Sequence, residues 1–117
     1  YKKAMTEDTY GGKTPEETLK MFIEALKKGD IELASKYFVL REDGTSNPEW
    51  EKALQKIGDE NRLLEIINIL LKAEPDTQAA ISKDYFVFST RDKNGIVITD
   101  IDLRLNNKSD IWKIESL

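Results

Sequence analysis

The spacing of apolar residues changes once along the chain. Up to residue 75 they recur every three to four positions, the period of helices; beyond it they recur every two, the period of strands. Thr14-Pro15-Glu16-Glu17 forms a helix start: a capping threonine, a proline whose missing N–H costs nothing there, and a glutamate three residues after the cap. Leu19, Phe22, Ile23 and Leu26 form one stripe, and Gly29 suits the left-handed position that closes the helix. Asp30 caps a second, short helix whose inward face is Ile31, Ala34 and Phe38, with Tyr37 at the edge.

Arg41 to Ser46 reads as a loop, and Asn47-Pro48 begins a third helix carrying Trp50, Ala53, Leu54 and Ile57, ended by Gly58. A fourth starts at Asp59 or Glu60. Leu63, Ile66, Ile67, Leu70 and Leu71 line its main face, and Leu64 and Ile69 widen it beyond the usual stripe. A stripe that wide calls for burial on two sides or for a partner surface, such as a twofold homodimer. Pro75 prevents continuation.

Three strands follow: 84–91, 96–105 and 110–117, with a weaker one at 77–82. Asp92-Lys93-Asn94-Gly95 is the hairpin turn between the first two. Alternation puts Val97, Thr99, Ile101, Leu103 and Leu105 on one face of the long strand. Ile96, Ile98, Asp100, Asp102 and Arg104 take the other. The first face is the more apolar and is expected to meet the helices, joined by Phe86, Phe88 and Thr90 and by Trp112, Ile114 and Ser116. Lys113 and Glu115 are expected to face out. The order, helices then an antiparallel meander, defines an α+β domain over 14–117 behind a polar linker at 1–13 that reads as flexible.

Composition narrows the chemistry. The 117 residues are 39% hydrophobic and 34% charged, which suits one folded domain with a solvated surface. There is no cysteine and no histidine, which removes disulfides, thiolate nucleophiles, imidazole bases and His- or Cys-based metal sites. Eighteen basic and twenty-two acidic residues give net −4 with no block of one sign. No basic stripe for nucleic acid is present. The most apolar window, Leu63 to Leu71, falls short of the roughly 20 residues a membrane span needs.

The helix start at Thr14-Pro15-Glu16-Glu17, with Phe22, Ala25-Leu26, Lys28-Gly29-Asp30 and Ala34, resembles the opening of nuclear transport factor 2-like domains. Trp112 to Leu117 resembles the last strand of their small bacterial members. The likeness implies a cystatin-like cone: N-terminal helices packed on a curved antiparallel sheet meander. That superfamily includes steroid isomerases, dehydratases, transport factors and extracytoplasmic domains tethered by a lipid or an N-terminal helix. The catalytic carboxylates, tyrosines and histidines of its enzymes have no counterparts that can be placed in this chain. The helix at 63–71 stands where many members have strands, as expected of the small bacterial branch to which no activity is attached.

These readings converge on a non-enzymatic binding or interaction domain, extracytoplasmic and tethered, with a location in the cytoplasm as the alternative. Its start at Tyr1 rather than methionine is read as the mark of a processed chain whose anchor lies upstream. Its partner is a protein or a small apolar ligand. A carrier would hold that ligand in an interior lined by Phe22, Tyr37, Phe86, Phe88, Thr99, Ile101 and Trp112, with Trp50 and Tyr37 at its mouth. An enzyme of the isomerase or dehydratase type ranks behind both, because general acid–base work needs a titratable group inside the pocket. No cofactor is expected. Asp100 and Asp102 lie about 7 Å apart on one strand face and are read as a solvent-facing ladder rather than a hydrolase pair. Arg41-Glu42-Asp43-Gly44 lacks the alternating oxygen ligands of a calcium loop.

Overall fold

The computed structural model describes residues 9–39, 48–76, 82–107 and 109–117. They form an α+β domain of four helices and a four-stranded antiparallel sheet: α1 (Pro15–Lys27), α2 (Ile31–Ser35), α3 (Pro48–Asp59), α4 (Leu63–Leu71), β1 (Glu74–Pro75), β2 (Tyr85–Arg91), β3 (Val97–Asn106) and β4 (Ile111–Ser116). The strands pair in chain order. The loop expected at 41–46 and most of the weaker strand at 77–82 fall outside the described residues.

Helix α1 starts as its sequence predicts. The Thr14 side chain accepts from the Glu17 N–H at 3.2 Å, while the Glu17 carboxylate accepts from Lys13 at 2.9 Å. Gly29, at φ 72°, closes it: the Gly29 N–H donates to Leu26 and the Asp30 N–H to Ala25. The end of α3 differs from expectation. The helix passes through Gly58 to Asp59, and Asn61, at φ 58°, takes the left-handed position. Asn61 donates to Gly58 and Arg62 to Ile57, the same closure that Gly29 makes for α1. Helix α4 therefore begins at Leu63, after Arg62, and not at Asp59 or Glu60.

The sheet buries the face the alternation selects. Phe86 lies opposite Leu103, Phe88 opposite Ile101 and Thr90 opposite Thr99. Ile101, Leu103, Ile114, Phe22 and Leu26 are essentially inaccessible to water. Phe22 meets Phe38 edge-on at 5.4 Å, and Phe38 stacks on Trp50 at 4.3 Å, so one aromatic column joins α1, the end of α2 and α3. Thr90 donates to the Ile69 carbonyl at 2.7 Å and ties α4 to β2.

Two bulges correct the expected faces. Thr90 pairs with Thr99 but Arg91 with Val97, so Ile98 is an extra residue in β3. The extra residue turns Val97, expected to point inward, out to solvent. Leu103 pairs with Ile114 but Asp102 with Ser116, so Glu115 is extra in β4. Ser116, expected inside, instead donates to Asp102 on the outer face at 3.1 Å. Leu71, expected on the buried stripe of α4, is exposed. Lys113, expected outside, is 2% exposed. Its ammonium group donates to the carbonyls of Tyr10 at 2.8 Å and Lys36 at 2.5 Å.

Residues 10–13, the end of the segment read as linker, lie against the domain. Gly12 accepts from the Trp112 N–H at 2.9 Å and donates to Thr18, whose hydroxyl donates to the Trp112 carbonyl at 2.8 Å. A Cβ on Gly11 would collide with that same Trp112 carbonyl oxygen, so the glycine is there for close approach.

Candidate functional site

The expected ligand-pocket residues are distributed between core and rim. Phe22, Tyr37, Phe88, Ile101 and Trp112 are buried members of one hydrophobic cluster, and Phe86 packs against it. Phe88 also lines a groove of about 420 Å3 between α1 and α4, with Leu19, Ile23, Leu70 and Leu71. Thr99 lies elsewhere, in the wall of a cleft between α3, α4 and the turn-proximal half of β3.

That cleft has a volume of about 380 Å3 and is walled by Trp50, Ala53, Leu54 and Ile57 of α3, by Ile66, Ile69 and Leu70 of α4, and by Ile98, Thr99 and Leu117. Local sequence explains each wall. The i, i+3, i+4, i+7 series Trp50, Ala53, Leu54, Ile57 puts four apolar side chains on one side of α3. The widened stripe of α4 supplies Ile69 beyond the row that packs on α1. The bulge at Ile98 brings an outer-face residue to the rim. Leu54 and Leu70 form the buried floor, and Ile98 is 54% exposed. Among the described residues, the side-chain hydrogen-bonding groups in the wall are the Thr99 hydroxyl and the Trp50 indole N–H.

A second, more open hollow of about 930 Å3 adjoins it, between α4 and the β2–β3 turn, and shares Ile69 and Ile98 with it. Leu64, 69% exposed, stands on its wall. Apart from Leu64, Ile69 and Ile98, that second hollow is lined by polar and charged residues, among them Glu65, Lys72, Arg91 and Asp92.

The outer sheet face is polar and internally paired. Ser89 is buried, and its hydroxyl lies 2.7 Å from an Asp76 carboxylate oxygen and 2.6 Å from one of Asp100. Its single proton serves one carboxylate at a time. Arg91 lies 3.6 Å from Asp76. Asp102 receives Ser116, and Arg104 donates twice to Glu115 while lying 5.5 Å from the Tyr85 ring centre. Asp100 and Asp102 thus belong to separate hydrogen-bonded groups, and Arg104 pairs with Glu115. Burial raises the Tyr85 hydroxyl above its usual value, and the neighbouring Asp102 carboxylate raises it further. Burial likewise raises Tyr37, helped by Tyr10 and Asp30. Both phenols are therefore neutral at physiological pH, and Tyr85 is hydrogen-bonded to Asp102. Among the described residues no group of three or more Asp or Glu is arranged to hold a metal ion. Arg41 to Gly44 lies outside them.

Sequence reasoning named Trp50 and Thr99 but missed Ile57, Ile69, Ile98 and Leu117 as walls of one cleft. The signal available was the surplus of apolar positions on α4 and on the outer face of the 96–105 strand. Comparison with protein-family models, with curated proteins and with solved structures finds no match to this chain.

Proposed function

We propose that the chain is a non-catalytic binding module of the cone-fold type that holds an apolar group of its partner in the cleft between α3, α4 and β3. The observation that carries this is the cleft itself: about 380 Å3 of space walled almost wholly by apolar side chains. Water in such a space has few hydrogen-bond partners, so an apolar group that displaces it gains free energy. The likeness to tethered nuclear transport factor 2-like domains supports display outside the cytoplasm, where a module of this kind meets its partner.

Carriage of a small apolar ligand is the second reading, supported by a volume within the roughly 300–1,000 Å3 span of ligand pockets. Isomerase or dehydratase chemistry ranks third, because none of the described side chains in the cleft wall is a carboxylate or an amine.

Anilinonaphthalene sulfonate tests the shared claim. It should bind the native protein saturably, with energy transfer from Trp50. Ala53→Trp, at an exposed wall position, should fill the cleft and weaken the dye by about tenfold, or 1.4 kcal/mol, with the thermal midpoint unchanged. Equal dye affinity in the folded variant would remove the cleft as a binding site.

A further inference from the structure

The groove between α1 and α4, about 420 Å3 in volume, has an apolar floor and a charged rim. Leu19 and Ile23 of α1, Leu70 of α4 and Phe88 of β2 form the floor, and all four are buried. Leu71 of α4 stands beside them and is 55% exposed, a costly position for a leucine that nothing else covers among the described residues. Glu16, Lys20, Glu24 and Lys27, all exposed, form the rim along α1. Their spacing of four, four and three residues puts them on one side of the helix.

Along the rim the signs alternate: acidic, basic, acidic, basic. Among the described residues one ion pair joins them, Lys27 to Glu24 at 3.6 Å. Such a row is complementary to its own reverse. Across a twofold axis perpendicular to α1, a second α1 running antiparallel sets Glu16 against Lys27 and Lys20 against Glu24, and symmetry makes each pair twice. A parallel copy sets every charge against its like. The two acidic and two basic groups cancel, so the rim does not attract an anionic lipid surface. An unrelated protein would need the same alternating row, which a second copy already carries.

We propose that the α1–α4 groove is the interface of a homodimer in which the two α1 helices run antiparallel. The apolar floor and Leu71 supply the surface to be buried, and the rim charges fix the orientation. Helix α1 has 13 residues and is about 20 Å long. A contact of that length lies at the small end of protein interfaces, so the dimer is of the weak, concentration-dependent kind. Only Leu70 is common to the groove and to the cleft between α3, α4 and β3, so two copies joined here carry two clefts. The dimer does not depend on what the cleft holds.

Sedimentation equilibrium of the intact protein tests this, at concentrations from about 1 μM to about 1 mM. A monomer–dimer equilibrium with a dissociation constant of about 10–100 μM is expected at low salt, weakened about fivefold at an ionic strength of about 0.5 M. Lys20→Glu sets a carboxylate against Glu24 of the other copy, and Glu24→Lys sets an ammonium group against Lys20. Each should weaken the dimer about tenfold and leave the thermal midpoint little changed, since both positions are exposed. Mixed in equal amounts, the two variants should recover association as a heterodimer, because each then meets the opposite charge. Leu71→Gln should weaken the dimer about fivefold through lost apolar burial. A protein that stays monomeric throughout the range would overturn the proposal. So would a dimer that both charge variants leave intact, which would place the contact on another face. Charge variants that dissociate but fail to pair with each other would overturn the antiparallel arrangement.

Discussion

The outer side of β4 and the open side of β3 belong to one sheet and meet solvent in opposite ways. Along β4, chain segments from far away in sequence satisfy the backbone, and even a cation is buried: the Lys113 ammonium sits on the carbonyls of Tyr10 and Lys36. Along β3, no described residue pairs with Val97 to Ile101 on the β4 side, and Ile98 is exposed. The first edge is finished by the fold. The second is set by how far β4 runs: pairing stops at Asp102 and Ser116.

Breaking the covered edge should have the largest effect. Lys113→Met keeps the apolar stem and removes the ammonium, leaving two buried carbonyls without this donor. The cost should be about 2–4 kcal/mol, since hydrogen bonds to charged groups contribute about 1.5–3 kcal/mol and orphaned acceptors add a desolvation penalty. A urea titration would read it as a lower midpoint with little change in slope. Exchange at the Gly12 and Thr18 region should accelerate. A loss below about 0.5 kcal/mol would mean that the buried cation is idle and that the two edges differ less than the geometry implies.

The sequence made one edge more legible than the other. Local chemistry was readable: the caps at Thr14 and Asp30, the glycine closure of α1, the change of period after Pro75 and the inward row Phe86, Phe88, Ile101, Leu103. Each depends on neighbours a few residues away or on simple alternation. Lys113 was not readable, because its acceptors are 77 and 103 residues distant. The bulges at Ile98 and Glu115 were missed for a related reason. A strand of ten residues looks the same to alternation with or without an extra residue, and only the partner's register reveals it. Asn61 displaced Gly58 as the end of α3 because asparagine also tolerates the left-handed region. The cleft needs α3, α4 and β3 placed together, and no local pattern specifies that.

A smaller effect should follow from pH. Tyr37 sits in the segment that covers β4, and burial raises its hydroxyl above the usual value near 10. Below pH 10 the phenol is protonated in both states and its environment contributes fully. Above it the unfolded chain releases the proton first, so stability falls as pH climbs through the folded value. Tyr85 is raised as well and acts in the same direction. Denaturation midpoints taken between pH 9 and 11 should therefore decline. Tyr37→Phe should reduce the slope and leave the part due to Tyr85. An unchanged slope in that variant would show that the covering segment opens before Tyr37 titrates.

The smallest effect belongs to the open edge. Ile96→Lys places an ammonium group at a position that is 63% exposed and adjoins the bulge. Nothing in the described structure covers it, so folding stability should stay within about 0.5 kcal/mol. The same substitution installs the edge lysine that strand edges ordinarily carry. It should thus leave the fold intact, the reverse of Lys113→Met. A loss of 2 kcal/mol or more would show that Ile96 is held by packing within the chain. The contrast between the two edges would then be smaller than the geometry implies.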